Sequence, residues 1–202
     1  MRVLIGCEES ATVRDAFRKL GHDAYSCDLM GSRGDSAWHI TGDVFRAIRK
    51  RGPWDMLIVF PPCTHLCVSG ARWWPKKLVA QYDAIEFCRH LIDEGCVIGK
   101  FAMENPIGIL STAIRKPDQI IQPWMFGHME QKSTCLWLYG LPKLVPTNDV
   151  KAEMLKLPKN QRERLHYLPP SPTRARDRSK TFQGIADAMA MQWGGDIRAT
   201  VT

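Results

Sequence analysis

The chain has 202 residues, 45% hydrophobic and 24% charged, an ordinary globular balance that excludes a disordered or fibrous protein. Its formal net charge is +7 and its sequence pI about 9.1, which favours a polyanionic partner such as nucleic acid. Seven scattered cysteines, no secretory signal and no long apolar span point to a reducing cytoplasm, not to a disulfide framework or a membrane protein.

In chain order, residues 2–6 read as a short apolar strand. A helix over 10–20 follows, with Val13, Phe17 and Leu20 at helical spacing, Ser10 as its N-cap and Gly21 as its end. Residues 23–27 form a second strand closed by Asp28, 30–36 a loop, 40–43 a third strand, and 44–51 a helix broken by Gly52-Pro53. The fourth strand is 56–60. A helix over 78–94 follows, with Ile85, Cys88, Leu91 and Ile92 on one face, and then a fifth strand over 97–103. A sixth strand is expected at 133–138. Residues 141–178 read as an irregular, proline-rich connection, partly helical between 150 and 166, and 179–193 as a closing helix. Strands alternating with helices predict one α/β domain over 1–202, with a mostly parallel, Rossmann-like sheet and helices on both faces.

Chemistry concentrates where strands end. Pro61-Pro62-Cys63-Thr64 follows the fourth strand, and Glu104-Asn105-Pro106 follows the fifth. The carboxyl edge of an open α/β sheet is where ligands bind. A thiol facing a carboxyl group there is a catalytic pair. Asp28 and Asp43 end strands beside the first loop, Gly6-Cys7-Glu8-Glu9, and suit the hydroxyl and amino groups of a nucleoside; as turn or capping residues they would be equally ordinary. The first loop has no Gly-x-Gly-x-x-Gly cradle for a pyrophosphate, so a cofactor without phosphates, such as S-adenosylmethionine, fits better. Arg72-Trp73-Trp74 with Lys76 and Lys77 could stack on bases and neutralise phosphates, or simply lead into the next helix. Arg174 and Arg176 head a basic stretch suited to a nucleic-acid backbone or to a solvated linker. Cys63-Thr64-His65-Leu66-Cys67 lacks a second Cys/His pair, so no metal site is expected.

The segment 55–64 with Pro62-Cys63 resembles the catalytic loop of the DNA cytosine-5 methyltransferases, and Glu104-Asn105-Pro106 resembles their Glu-Asn-Val motif. Gly42-Asp43-Val44 is similar to their third cofactor motif, and Asp28 stands where their ribose-binding acid belongs. The order along the chain matches over roughly residues 1–140, and the closing helix is similar in place to their last motif. The closest likeness is to the short methyltransferase-like proteins of phages, which would place the chain in a host cytoplasm.

This resemblance implies a class I S-adenosylmethionine-dependent fold and methyl transfer to carbon 5 of cytosine in DNA. Cys63 would be the nucleophile and Glu104 the acid at nitrogen 3. Gly6, Cys7, Glu8, Glu9, Asp28, Asp43 and Pro61 would lie at the cofactor. Asn105, Arg72, Trp73, Lys132, Arg174 and Arg176 would lie at the substrate. The chain departs from the family in four places. Ile5-Gly6-Cys7-Glu8-Glu9 replaces Phe-x-Gly-x-Gly, Thr64 replaces glutamine, and Gln131-Lys132-Ser133-Thr134 stands in for an arginine-rich motif. The stretch between Leu138 and Ser179 is too short for a recognition domain. Two other readings stay open: an enzyme of free pyrimidine nucleotides, and a silent nucleic-acid or effector-binding protein.

Overall fold

The computed structural model describes residues 1–196. Strands β1 (Arg2–Gly6), β2 (Asp23–Asp28), β3 (His39–Thr41), β4 (Met56–Val59), β5 (Phe101–Pro106), β6 (Gln119–Ile121) and β7 (Thr134–Tyr139) form one sheet, in the order β3-β2-β1-β4-β5-β7-β6. The first five run parallel, while β7 is antiparallel to both its neighbours. The sheet is Rossmann-like, as expected. Strand order reverses between β1 and β4, which makes the crevice beyond their carboxyl ends the topological switch point.

Helices α1 (Thr12–Lys19), α2 (Val44–Arg51), α3 (Leu78–Ile98) and α4 (Leu110–Ala113) connect the strands. Four short helices follow β7: α5 (Lys151–Leu155), α6 (Lys159–Arg162), α7 (Arg164–Tyr167) and α8 (Arg174–Ser179). Then comes α9 (Gln183–Met189), continued by a wider turn over Ala190–Gly194. Among the described residues no helix is long and apolar enough to cross a membrane.

The central strands are apolar without alternation because both faces are covered. Val3, Ile5, Met56, Ile58 and Ala102 turn to one face and pack with Phe17 of α1, Met189 of α9 and Trp193. Leu4, Leu57, Val59, Phe101 and Met103 turn to the other and pack with Ile48 of α2, Leu91 of α3 and Trp137. Each large apolar side chain buried in this way contributes roughly 1.5–3 kcal/mol of transfer free energy.

Several boundaries differ from the sequence expectations. Helix α1 begins at Thr12, not Ser10, because Glu8 reaches its first turn: its carboxylate accepts from Val13 N at 2.7 Å and Arg14 N at 3.3 Å. Helix α3 runs on to Ile98, where Gly99 takes a left-handed conformation (φ 92°) and ends it. The strand expected at 97–103 therefore starts at Phe101 and carries Glu104 and Asn105 within it. The closing helix expected at 179–193 is broken: Phe182 is extended, and α9 starts only at Gln183.

Candidate active site

The register of the sheet brings Cys63 and Glu104 to the same edge, within electrostatic reach of each other. Val59 pairs with Met103, so β4 stops one residue before Glu104, which continues alongside Leu136 of β7. The chain after β4 turns back on itself at Cys63, whose carbonyl accepts from Leu66 N at 3.0 Å and Cys67 N at 3.1 Å. This turn is zipped to the segment after β5. Val68 N donates to Ile107 O at 3.1 Å, Ile109 N donates to Leu66 O at 2.9 Å, and Cys67 bridges to Gly108. A Cβ at Gly108 would overlap the Leu66 carbonyl, so only glycine permits the approach. From inside, Asn105 Nδ2 donates to Pro61 O at 2.8 Å.

Asn105 is 1% exposed, and its Oδ1 has no partner among the described residues. Asn105→Ala removes the donor to a buried carbonyl and is expected to destabilise the fold by roughly 1–3 kcal/mol, measurable by urea denaturation.

Burial pushes the Glu104 carboxyl up, and the Lys132 ammonium and Thr134 hydroxyl beside it pull it part of the way back. Burial also pushes the half-buried Cys63 thiol up. Cys67 and Glu104 add to that rise and Lys132 opposes it. The Lys132 ammonium thus acts electrostatically on both groups. Its backbone N–H donates to Gln122 Oε1 at 2.9 Å, and Gln122 Nε2 holds Ser133 Oγ at 2.7 Å.

The space in front of Glu104 is small. A cavity of about 10 Å³ is lined by Phe60, Glu104, Lys132, Thr134, Thr181 and Phe182. That admits about one water and no pyrimidine ring. The chain from α8 to α9 lies over it as a strap. Lys132 Nζ donates to Arg178 O at 2.9 Å, and His128 Nε2 accepts from Gly184 N at 2.9 Å with its ring 5.1 Å from Phe182. A larger cavity, about 240 Å³, opens beside the strap at the start of α1, between Thr12, Arg164, Asp177, Lys180 and Gln183.

The first loop closes the other side of the strap. Gly6 is required there, since a Cβ would stand 2.7 Å from Val44 Cγ2 and 3.0 Å from Val59 Cγ1. Cys7 follows in the left-handed region (φ 58°), where a non-glycine residue is strained. Burial raises the Cys7 thiol, and Asp28 and Asp43 raise it further, so both acids stand around this turn. Asp28 Oδ1 accepts from Met30 N at 2.9 Å and Asp43 Oδ1 from Arg46 N at 2.8 Å, leaving each a second oxygen without a bond among the described residues.

Glu8 and Glu9 turn elsewhere. Glu9 accepts from Arg33 at 2.6 Å and from Arg176 at 2.7 and 2.8 Å. Partial burial raises its carboxyl, and these two arginines outweigh that and hold it below the ordinary value. Glu8 is 4% exposed, and burial pushes it up to about 7 against the helix N–H groups that bind it. The folded state therefore keeps this proton up to about pH 7, whereas an ordinary glutamate releases it near 4.5. The stabilisation is complete below 4.5 and is lost as pH rises through 7. Wild type is expected to lose roughly 3 kcal/mol relative to Glu8→Gln across that window, read from denaturation midpoints at several pH values.

The other expected substrate residues are spread out. Arg174 donates to Leu168 O at 2.6 Å and His166 O at 3.1 Å, so it braces the strap from within. Trp73 is 46% exposed, with the Arg72 guanidinium 5.0 Å from its ring centre. Thr134, Phe60, Phe182, Gln122 and Gly108 also line or brace the site, and the sequence analysis assigned none of them a role there. Thr134 lies within a motif that the sequence singles out, and Phe60 directly precedes another.

No family model matches the chain, and no curated protein matches it. Among solved structures it is similar to a prophage-encoded E. coli protein provisionally described as a DNA modification methyltransferase, at 14% identity and a TM-score of 0.41. The match covers 79% of this chain and 56% of that one, so the chain spans little more than half the length of its neighbour.

Proposed function

We propose that the chain is an S-adenosylmethionine-dependent methyltransferase acting on carbon 5 of cytosine in DNA through a covalent bond to Cys63. The observation that carries this reading is the zipped pair of turns that sets a half-buried thiol and a half-buried carboxyl group within electrostatic reach of one lysine at the sheet's carboxyl edge.

The switch point between β1 and β4 fits the cofactor. Gly6, Cys7 and Pro61 supply close backbone, and Asp28 and Asp43 each offer an oxygen to hydroxyl or amino groups. Glu8 and Glu9 do not fit a role at the cofactor's amine, because their oxygens are engaged. When bound, S-adenosylmethionine supplies an electrophilic methyl group.

The chain's own groups activate the base. The Cys63 sulfur adds to carbon 6 while Glu104 gives its proton to nitrogen 3, and the electrons of the 5,6 double bond become available at carbon 5. Once carbon 5 is methylated, water takes up its proton, which restores the double bond and expels the Cys63 thiolate, and the proton on nitrogen 3 returns to Glu104. The raised carboxyl of Glu104 keeps its proton above the usual carboxylate range, as a donor must. The raised thiol of Cys63 needs help, and the Lys132 ammonium favours its thiolate.

The strap must open for a base to enter. DNA phosphates would compete with Glu9 for Arg176 and so loosen it. Transfer of a labelled methyl group from S-adenosylmethionine tests the reading, with DNA, RNA and dCMP as acceptors. Label in DNA is the expected result. Label in dCMP alone would move the activity to free nucleotides, and cofactor binding without transfer to any acceptor would mark a silent protein.

A further inference from the structure

The segment after the Cys63 turn presents an exposed apolar ledge studded with cations. In the first turn of α3, Leu78, Val79 and Tyr82 are 66%, 76% and 63% exposed. At 3.6 residues per turn these three fall within about 100° of one another, on one side of the helix. Trp73, just before them, carries the Arg72 guanidinium at 5.0 Å and the Lys76 ammonium at 5.8 Å from its ring centre. A solvated helix start would be polar, whereas exposed apolar side chains gathered in this way mark a binding surface. The ledge is tied to the catalytic turn: Gln81 Nε2 donates to His65 O at 3.0 Å, two residues from Cys63.

The partner must offer negative charge and flat apolar faces together. A duplex shows phosphates outward and hides its base faces, which would leave Leu78, Val79 and Tyr82 wet. An unpaired strand offers both, because aromatic side chains stack on any exposed base while cations meet the phosphates.

We propose that this ledge binds an unpaired DNA strand, with bases stacked on Trp73 and Tyr82, and that the substrate is cytosine outside a duplex. The inference rests on the reading that the Cys63 site takes its base from DNA.

The test is fluorescence anisotropy with a labelled oligonucleotide, single-stranded or annealed to its complement, without cofactor. The single strand is expected to bind more tightly than the duplex, and Trp73→Ala to weaken it roughly tenfold. Val79→Ser, at an exposed position that does not threaten the fold, is expected to weaken it in the same direction. Unchanged affinity in both variants, or equal affinity for the duplex, would overturn the proposal. So would self-association of the wild type, seen by light scattering and abolished by Val79→Ser, since a second copy would then own the ledge. Strand binding that depends on Trp73 but comes with no methyl transfer would keep the ledge and remove the chemistry. Transfer to duplex DNA that is indifferent to Trp73→Ala would do the reverse.

Discussion

Cys63→Ala is expected to abolish methyl transfer, by a factor on the order of 10⁴ or more, while leaving the fold intact. The size of the loss follows from the role: without the sulfur, carbon 5 of cytosine has no source of electron density and the reaction has no covalent route. The small structural cost follows from position. Cys63 is half-buried in a turn, and that turn is held by its carbonyl, by Asn105 on Pro61 and by the Val68–Ile107 bond, none of which uses the thiol. Denaturation midpoints within about 1 kcal/mol of wild type, beside complete loss of label transfer, are the expected pair of measurements. A variant that kept a tenth of the activity would show that the sulfur is a bystander.

Gly108→Ala is expected to be the most damaging conservative change near the site. The added methyl group would overlap the Leu66 carbonyl oxygen and approach its carbonyl carbon at 2.8 Å. Both are backbone atoms fixed by the Ile109 N to Leu66 O bond, so no side chain can swing aside. The two turns must separate, at a cost of roughly 2–3 kcal/mol, and Cys63 moves away from Glu104 as they do. Because the cost falls on the zipper, activity is expected to drop further than stability explains. Gly70→Ala is the control in the same loop. Its new methyl group would meet only Thr64 O, at 3.8 Å, an ordinary contact, and the change is expected to stay within about 0.5 kcal/mol.

Much of this arrangement was legible in the sequence because it is local. Met56–Val59 is continuously apolar and fully buried, so both the strand and the turn after it could be placed, and Cys63 with them. The fifth strand was harder. Val97 and Ile98 are as apolar as a strand, yet they finish α3, and only the left-handed Gly99 marks the stop. Strand β6 has three residues, too few for a pattern, and the reversed direction of β7 leaves no periodic trace. The spacing of Ile185, Met189 and Trp193 announced a closing helix, but its late start depends on Phe182 lying beside His128, a contact made between distant parts of the chain. The same holds for the strap. Arg176 reads as a free cation, and its partner, Glu9, lies 167 residues away.

The most direct measurement is the capture of an oligonucleotide carrying 5-fluorocytosine in the presence of S-adenosylmethionine. Fluorine cannot leave carbon 5 as a proton does, so a sulfur that has added to carbon 6 stays attached. A denaturation-resistant adduct, mapped by mass spectrometry to Cys63 and missing from Cys63→Ala, is the predicted result. Binding of both cofactor and oligonucleotide with no adduct, or an adduct on another residue, would contradict it.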